Sequence, residues 1–353
     1  LYYSCRDPDA TIRVYLAMLP MIREQGLEFV LDAMDGPTLP IVKEMMDTGV
    51  RVDKEKLAKI AEDQLAPMTD AAAQVEAHIG HAINPKSSAD PNMQNIGVRT
   101  EGGKRMRSSF VAQDGWKFLG IDYSQIEMRI AAHITGCTRL ITLFNEGRDI
   151  HTENAATVTG VPIDEVPVTT RYAMKRAGFG VLYGMEANGL ATTLNEEGIP
   201  GWDVPRCAAF IADYYKLHPE IKEFQQETVA FARRHGYVKD MFGRRRWIPE
   251  LIVPVPSVQS AGKRQAMNMP VQAGAQGIIK LAAIYIWNRY KDMWDSENLV
   301  HWLLQEHDEL IWEVVDSRVE EVADTFAAEM ENVLALAVPT PVDQAIGDNW
   351  AEL

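Results

Sequence analysis

Two apolar runs, Leu299 to Leu304 and Leu310 to Val315, flank the polar segment Gln305-Glu306-His307-Asp308-Glu309. Each run has the length of an ordinary strand and the break between them is short, so the pair predicts a β-hairpin with an exposed acidic tip. A hairpin commits the chain to an antiparallel sheet. Trp116 to Ile121 is a further strand-length run, ending at Asp122, and Ser109 to Asp114 and a segment near Val342 supply two more. Val50 to Val52 is a short extended piece, and Tyr237 to Pro249 reads as a second hairpin turning at Gly243. Helical spacing covers residues 1–34, Leu39 to Asp47, a segment capped by Asp53 and running towards His78, and Ile126 to Ile134. Thr138 to His235 is mostly helical, with turns near Gly160, Pro167, Gly198 to Gly201 and Pro219. Further helices are predicted from about Lys263 through Pro270 to Trp287, and from Val319 to Leu336; Asn84 to Gly97 is a loop. Helices and strands fall in blocks and do not alternate, which defines an α+β chain with an antiparallel sheet.

At 353 residues the chain exceeds one ordinary domain. With 46% hydrophobic and 24% charged residues it has ample core, and no apolar run approaches the ~20 residues of a membrane span. No signal peptide is visible, and Leu1 in place of Met suggests a fragment. Cys5, Cys137 and Cys207 lie far apart without a CxxC pair, the pattern of reduced, intracellular cysteines. His78 and His81 have no third ligand nearby to make a metal site. A net charge of −15 argues at face value against nucleic acid. Phosphate binding depends on the local patch, however, and cations cluster at Lys104/Arg105/Arg107, Arg171/Lys175/Arg176, Arg244 to Arg246, and Lys263/Arg264. The acidic excess lies largely elsewhere, notably in Asp316 to Glu331.

In RYAMKRAGFGVLYG, residues 171 to 184, four large side chains recur at intervals of four: Arg171, Lys175, Phe179 and Tyr183. On a helix such a step gives one slanting stripe. Surface helices keep rings and charges on opposite faces. Mixing them on one stripe fits a ligand with phosphates at one end and flat rings at the other. The same stripe also fits a half-buried helix whose Arg and Lys stretch past core aromatics. Gly178, Gly180 and Gly184 favour the ligand, since each costs helix stability and lets another chain or a base approach the backbone.

Asp122 closes a strand of buried character and Asp308 sits at the hairpin tip. Carboxylates at the ends of buried strands are costly unless paired or bound to a metal. Two aspartates brought together are the minimum ligand set for a pair of Mg²⁺ ions. Each could equally cap a turn.

These pieces, in this order, resemble a known family. DYSQIEMRIAAH (Asp122 to His133) is similar to motif A of the family A DNA polymerases, RYAMKRAGFGVLYG to motif B on their fingers helix, and HDE (His307 to Glu309) to motif C. DPNMQNI (Asp90 to Ile96), DIH (Asp149 to His151), FGRRRWIPE and GDNW match as well. The resemblance implies a right-hand polymerase fold with a palm sheet, helical fingers and a partial thumb. Its divisions are 1–20 as the remnant of the last helix of an exonuclease domain, where Tyr3 and Asp7 resemble an exonuclease motif, 21–89 as partial thumb, 90–136 as palm, 137–258 as fingers and 259–353 as the rest of the palm. The implied activity is template-directed addition of dNTPs to a primer 3′-hydroxyl on primer-template DNA.

The implied roles follow. Asp122, Asp308 and the Tyr123 carbonyl hold two Mg²⁺ ions, for which Mn²⁺ can substitute, and Glu309 stands near them. His151, Arg171 and Lys175 bind phosphates, Lys175 also protonating the departing pyrophosphate. Phe179 packs on the incoming nucleotide, Tyr183 guards the templating position, Gln125 belongs to the nucleotide site, and Glu127 is the gate against a ribose 2′-hydroxyl. Arg264, Asn268 and Gln272, again four apart, read the minor groove. His307 touches the primer terminus and Arg244 contacts DNA. The expectation is a monomeric, cytoplasmic enzyme with no membrane contact, for which accessory replication factors are an open alternative. The rivals are a single-subunit RNA polymerase, against which Glu127 and Phe179 speak, and a non-catalytic DNA-binding remnant. Two departures stand out: Asn188 replaces an aromatic residue, and the Arg of the family's TGR segment has no counterpart. In relatives a helical thumb tip separates a segment like INPKSS from DPNMQNI. Here the two nearly touch, and the expectation is a tip omitted between about Ser88 and Pro91, not a true deletion.

Overall fold

The computed structural model describes residues 2–63, 96, 100–297 and 299–353, with the backbone alone for 2–12 and 293–297. His78, His81, the INPKSS segment, Asp90 to Asn95 and the backbone step at Ser88–Pro91 therefore lie outside the described residues. So do the side chains of Cys5, Tyr3 and Asp7. In chain order the helices are α1 (Tyr2–Glu24), α2 (Gly36–Thr48), α3 (54–63), α4 (Glu101–Arg107), α5 (Ile126–Thr135), α6 (Thr138–Asn145) and α7 (Ile150–Thr159). They continue with α8 (Val168–Leu182), α9 (Ala187–Glu196), α10 (Val204–Leu217), α11 (Pro219–His235), α12 (Pro256–Glu297) and α13 (Val319–Asn332). The strands are β1 (Trp116–Tyr123), β2 (Tyr237–Lys239), β3 (Arg245–Trp247), β4 (Val300–Glu306), β5 (Glu309–Val315) and β6 (Val342–Gly347).

Some elements differ from the sequence reading. The helix expected over 1–34 breaks at a turn around Gln25–Gly26 and resumes into a π-helical stretch, Val30–Asp35. Ser109 to Asp114 is not a strand: Phe110 and Val111 make single bridges to Val52 and Asn349, so the pairing never propagates into a ladder. The 42-residue α12 starts well before Lys263, and α13 stops at Asn332, short of Leu336. α4 escaped periodicity because Gly102 and Gly103 mask it. Thr100 caps it by accepting from the Gly103 amide at 3.1 Å.

The chain divides into two compact units. The sheet unit comprises Thr38–Tyr123, Ala282–Met330 and Val342–Leu353. Its four strands run antiparallel in the order β4-β5-β1-β6. Leu119, Ile121 and Tyr123 point to one face, where Trp302, Trp312 and Phe326 stack with centroids 5.0 Å apart. The Tyr123 hydroxyl donates to the Met330 carbonyl at 2.6 Å, tying the end of β1 to α13. Phe118 lies on the other face with Leu303, Ile311 and Trp350. The hydrophobic face thus gives way, at the Asp122 end, to a polar one.

The helical unit comprises the chain up to Pro37, Ser124–Leu281 and Glu331–Pro341. Its core includes the buried apolar sides of α8 to α11, with Val181, Leu190, Phe210, Tyr214 and Ile221. Asp35 is held by Arg244 through two bonds, 2.8 and 3.0 Å, and by Lys280 at 2.8 Å. The Arg244 bond is the largest influence and brings the Asp35 carboxyl down to about 2. Among the described residues no helix is long and apolar enough to cross a membrane.

Candidate active site

Strand register alone builds a row of acids on the sheet unit. Asp122 on β1 faces Glu309 on β5 and Asp343 on β6, and Glu309 in turn faces Glu306 on β4. One row of four carboxylates therefore crosses all four strands, with Asp308 in the turn beside it. Like charges directly opposite on a sheet repel. Burial, then the charges of Asp308 and Asp343, push the Asp122 carboxyl up to about 7. Burial, then Asp122 and Glu306, lift Glu309 to about 7 as well. The buried Oδ1 of Asp122 has no hydrogen-bond donor among the described residues. A cavity of about 340 Å³ opens on this row, lined by Asp122, Asp308, Glu309 and Asp343.

The surroundings hold these acids in place. A Cβ at Gly120 would stand 2.5 Å from Glu309 Oε1, so a side chain there would make that carboxylate shift. Arg107 donates to both oxygens of Glu306, at 2.7 and 2.9 Å, and its guanidinium lies 4.1 Å from the centroid of Trp350. This pair is almost fully buried, with side-chain exposures of 5% and 8%. His307, between Glu306 and Asp308, is exposed with φ of 51°. Gln125, with φ of 53°, is the only other described non-glycine residue in that region. Such conformations are strained and concentrate at functional sites. The hairpin tip is less exposed than its sequence predicts: Asp308 and Glu309 are half-buried.

A divalent cation fits the row. Among the described residues no three His, Cys, Asp or Glu side chains form a closed metal cage. Adjacent strands lie ~4.8 Å apart, so carboxylates on them form a line and not a shell. An ion here would take one or two of them and complete its coordination from a ligand.

A separate group of candidate residues lies on the helical unit. The stripe is one face of α8, with Tyr183 as its C-terminal cap residue. Arg171 Nε donates to Asp149 Oδ2 at 2.8 Å. The other Asp149 oxygen caps α7 through the amides of His151 and Thr152. Burial pushes Asp149 up, but Arg171 and these amides outweigh it and hold the carboxyl below its usual range. His151 is buried with its ring 6.2 Å from Phe179. Burial, reinforced by Lys175 and Arg171 against the opposing Asp149, brings its pKa down to about 4. Lys175, half-buried, makes no ion pair among the described residues. Tyr183 donates to Glu127, and burial followed by that carboxylate raises the phenol well above its ordinary value.

Several expectations change. Met185 packs beside Gly180, and Gly184, with φ of 74°, lies against Met267. The basic clusters are partly consumed. Arg107 is buried on Glu306, Arg105 bonds Asp63, Arg176 bonds Glu197, and Arg244 bonds Asp35. Arg264 and Gln272 are exposed on α12; Asn268 is half-buried with Oδ1 unpartnered. Asp343, Glu306 and the inward role of Arg107 escaped the sequence reading, since only the register of β4 and β6 reveals them.

The chain matches the family model of DNA polymerase family A over residues 35–352, and it belongs to that family. The thermostable DNA polymerase I of Thermus aquaticus is 44% identical over 264 residues, 75% of this chain and 30% of that protein. DNA polymerase I of Rhizobium leguminosarum is 29% identical over 444 aligned residues, 99% of this chain and 43% of that protein. That alignment is longer than this 353-residue chain, so the relative carries inserted segments. Among solved structures, the POL domain of Pol1 from M. smegmatis, in complex with DNA primer-template and dNTP, has a TM-score of 0.82 and 27% identity. It covers 94% of this chain and 72% of its own. The α+β architecture is that of a right-hand polymerase. The chain spans less than a third of the Thermus relative's length.

Arg107→Met should cost about 3–5 kcal/mol, because it strands Glu306 as an unpaired buried charge beside Glu309. Arg107→Met with Glu306→Leu should recover most of the loss. Urea unfolding reads both; a single variant as stable as the wild type contradicts the pairing.

Proposed function

We propose that this chain is a template-directed DNA polymerase that extends a primer on primer-template DNA with dNTPs and releases pyrophosphate. The observation that carries the reading is the carboxylate row: four acids in register, one with a buried oxygen lacking a donor, in a chain of this family. Asp122 and Asp308, with the Tyr123 carbonyl, would hold two Mg²⁺ or Mn²⁺ ions, which favour ionisation of the primer 3′-hydroxyl and offset charge on the departing pyrophosphate. Glu309, kept beside them by Gly120, tunes the charge of the row. The sheet unit would be the palm and most of the helical unit the fingers.

On the helical unit, Arg171 is oriented by Asp149 and binds phosphate through its remaining donors. Lys175 is free to bind a phosphate oxygen and to give its proton to the leaving pyrophosphate. His151, held neutral, donates a hydrogen bond to phosphate without adding charge. Phe179 offers its ring to the incoming base, and Gln125 lies at the start of the gate helix α5. Arg264, Asn268 and Gln272 face the minor groove; His307 stands by the primer end. Arg244, paired with Asp35, would contact DNA through its remaining donors.

Glu127 excludes ribonucleotides by its volume, with Tyr183 fixing it. Primer extension with dNTPs against rNTPs tests both the function and the gate. The wild type should use dNTPs and reject rNTPs, and Glu127→Ala should reduce that discrimination by about tenfold or more. Glu127→Gln, which keeps the volume, should retain it. An unchanged ratio in Glu127→Ala sinks the gate, and no extension by the wild type sinks the function.

A further inference from the structure

The C-terminal end of α8 carries two side chains of the stripe, Phe179 and Tyr183. There the helix runs out of its own partners for its carbonyls. Three are met by the chain that follows: Phe179 by the Tyr183 amide at 3.1 Å, Gly180 by the Met185 amide at 2.7 Å, and Val181 by the Gly184 amide at 3.0 Å. The Leu182 carbonyl takes its donor from another helix. Gln225 of α11 places its side-chain amide there, Nε2 donating to Leu182 O at 2.9 Å and to Val181 O at 2.7 Å. Both protons of that amide are then in use. Its oxygen is in use as well, accepting from the Tyr215 hydroxyl of α10 at 2.8 Å. Turned over, the amide would set an acceptor against two carbonyls.

Glutamine is not what packing alone calls for at this position. Gln225 is buried, and Ile221, one turn back on the same helix face, is buried and apolar. A Leu or Met would fill such a place without a polar group to satisfy. What the glutamine supplies is direction. Three helices, α8, α10 and α11, meet on one fully bonded amide, which specifies a single position for the end of α8. The next residue is Tyr183, whose hydroxyl donates to Glu127 on α5. Gly184 follows with φ of 74°, so the chain leaves the helix directly after that tyrosine. Clamp, tyrosine and glutamate all belong to the helical unit.

We propose that Gln225 is a positioning residue for nucleotide selection. It fixes the last turn of α8, that turn fixes Tyr183, and Tyr183 holds Glu127 against the sugar of the incoming nucleotide. The inference rests on the reading of Glu127 as the gate, and it adds the element that keeps the gate in place. A clamp serving stability alone would act on dNTPs and rNTPs alike.

The test is single-turnover primer extension by the full chain with each dNTP and its rNTP. Gln225→Leu, verified as folded by circular dichroism, keeps the volume and removes both donors. Its preference for dNTPs should fall about fivefold, the effect of one net hydrogen bond. The fall should come from faster rNTP addition, with dNTP addition within about twofold of the wild type. Tyr215→Phe leaves the donors but frees the amide, and should show a smaller fall in the same direction. In a Tyr183→Phe background, where the bond to Glu127 is gone, Gln225→Leu should change the preference no further, because residues acting through one contact do not add. An undiminished preference in both Gln225→Leu and Tyr215→Phe overturns the proposal. So does an equal slowing of dNTP and rNTP addition, or a full further effect in Tyr183→Phe. Hydrogen exchange at the amides of Tyr183, Gly184 and Met185 reads the clamp with no nucleotide present. It should be about fivefold faster in Gln225→Leu, and exchange at the wild-type rate removes the clamp. A wild type that extends no primer removes the polymerase reading, and an unchanged ratio in Glu127→Ala removes the gate. Either ends the role in selection, while the exchange comparison still decides whether Gln225 holds the turn.

Discussion

Asp122→Ala or Asp308→Ala should reduce primer extension by at least ~10³-fold, about 4 kcal/mol of transition-state stabilisation, while primer-template binding persists. Binding survives because phosphates are contacted by cations and not by the carboxylate row. Removing one acid relieves repulsion, so the loss is not a folding defect, and this has its own readout. Asp122 ionises near 3.8 when unfolded but only at about 7 in the fold. As pH rises through that window the unfolded chain ionises first and the wild type loses stability. In EDTA, Asp122→Asn should therefore gain stability over the wild type between these pH values, with no difference below them. A variant still extending primers near the wild-type rate removes the metal assignment; a variant that is less stable at pH 8 removes the electrostatic one.

Lys175→Ala should lower the rate of nucleotide addition by about 10²–10⁴-fold, the range for loss of a general acid, with a smaller effect from Arg171→Ala on that step. The two cations share a stripe but not a situation. Arg171 is already anchored on Asp149, whereas Lys175 makes no ion pair among the described residues and lies close enough to His151 to depress its pKa. Single-turnover kinetics with saturating dNTP separates chemistry from binding. Equal losses for Lys175→Ala and Arg171→Ala, confined to nucleotide affinity, would make both plain phosphate ligands. Lys175→Arg keeps the charge but gives up its proton far less readily, so it should restore affinity more than rate.

The local features were legible because they are local. The β4–β5 hairpin, the end of β1 at Asp122 and the four-step stripe of α8 each follow from spacing within about fifteen residues. Asp343 was invisible for the opposite reason: its importance comes from lying across from Asp122, more than two hundred residues away, in a register that only folding sets. Arg107 looked like part of a basic patch, and sequence cannot show that its partner is Glu306, 199 residues on. Beside Gly180 and Gly184 lie Met185 and Met267, neighbours that spacing within the stripe does not reveal. Ser109 to Asp114 has strand composition but finds only single partners, Val52 and Asn349, and stays a pair of bridges.

The most direct measurement is single-nucleotide addition by the wild-type chain, in Mg²⁺, on primer-templates that differ only in the first unpaired template base. Each template should accept only its complementary dNTP, with one pyrophosphate released per nucleotide added, and EDTA should stop the reaction. Addition that ignores the template base, or tight primer-template binding with no addition at all, would contradict a polymerase built on Asp122 and Asp308.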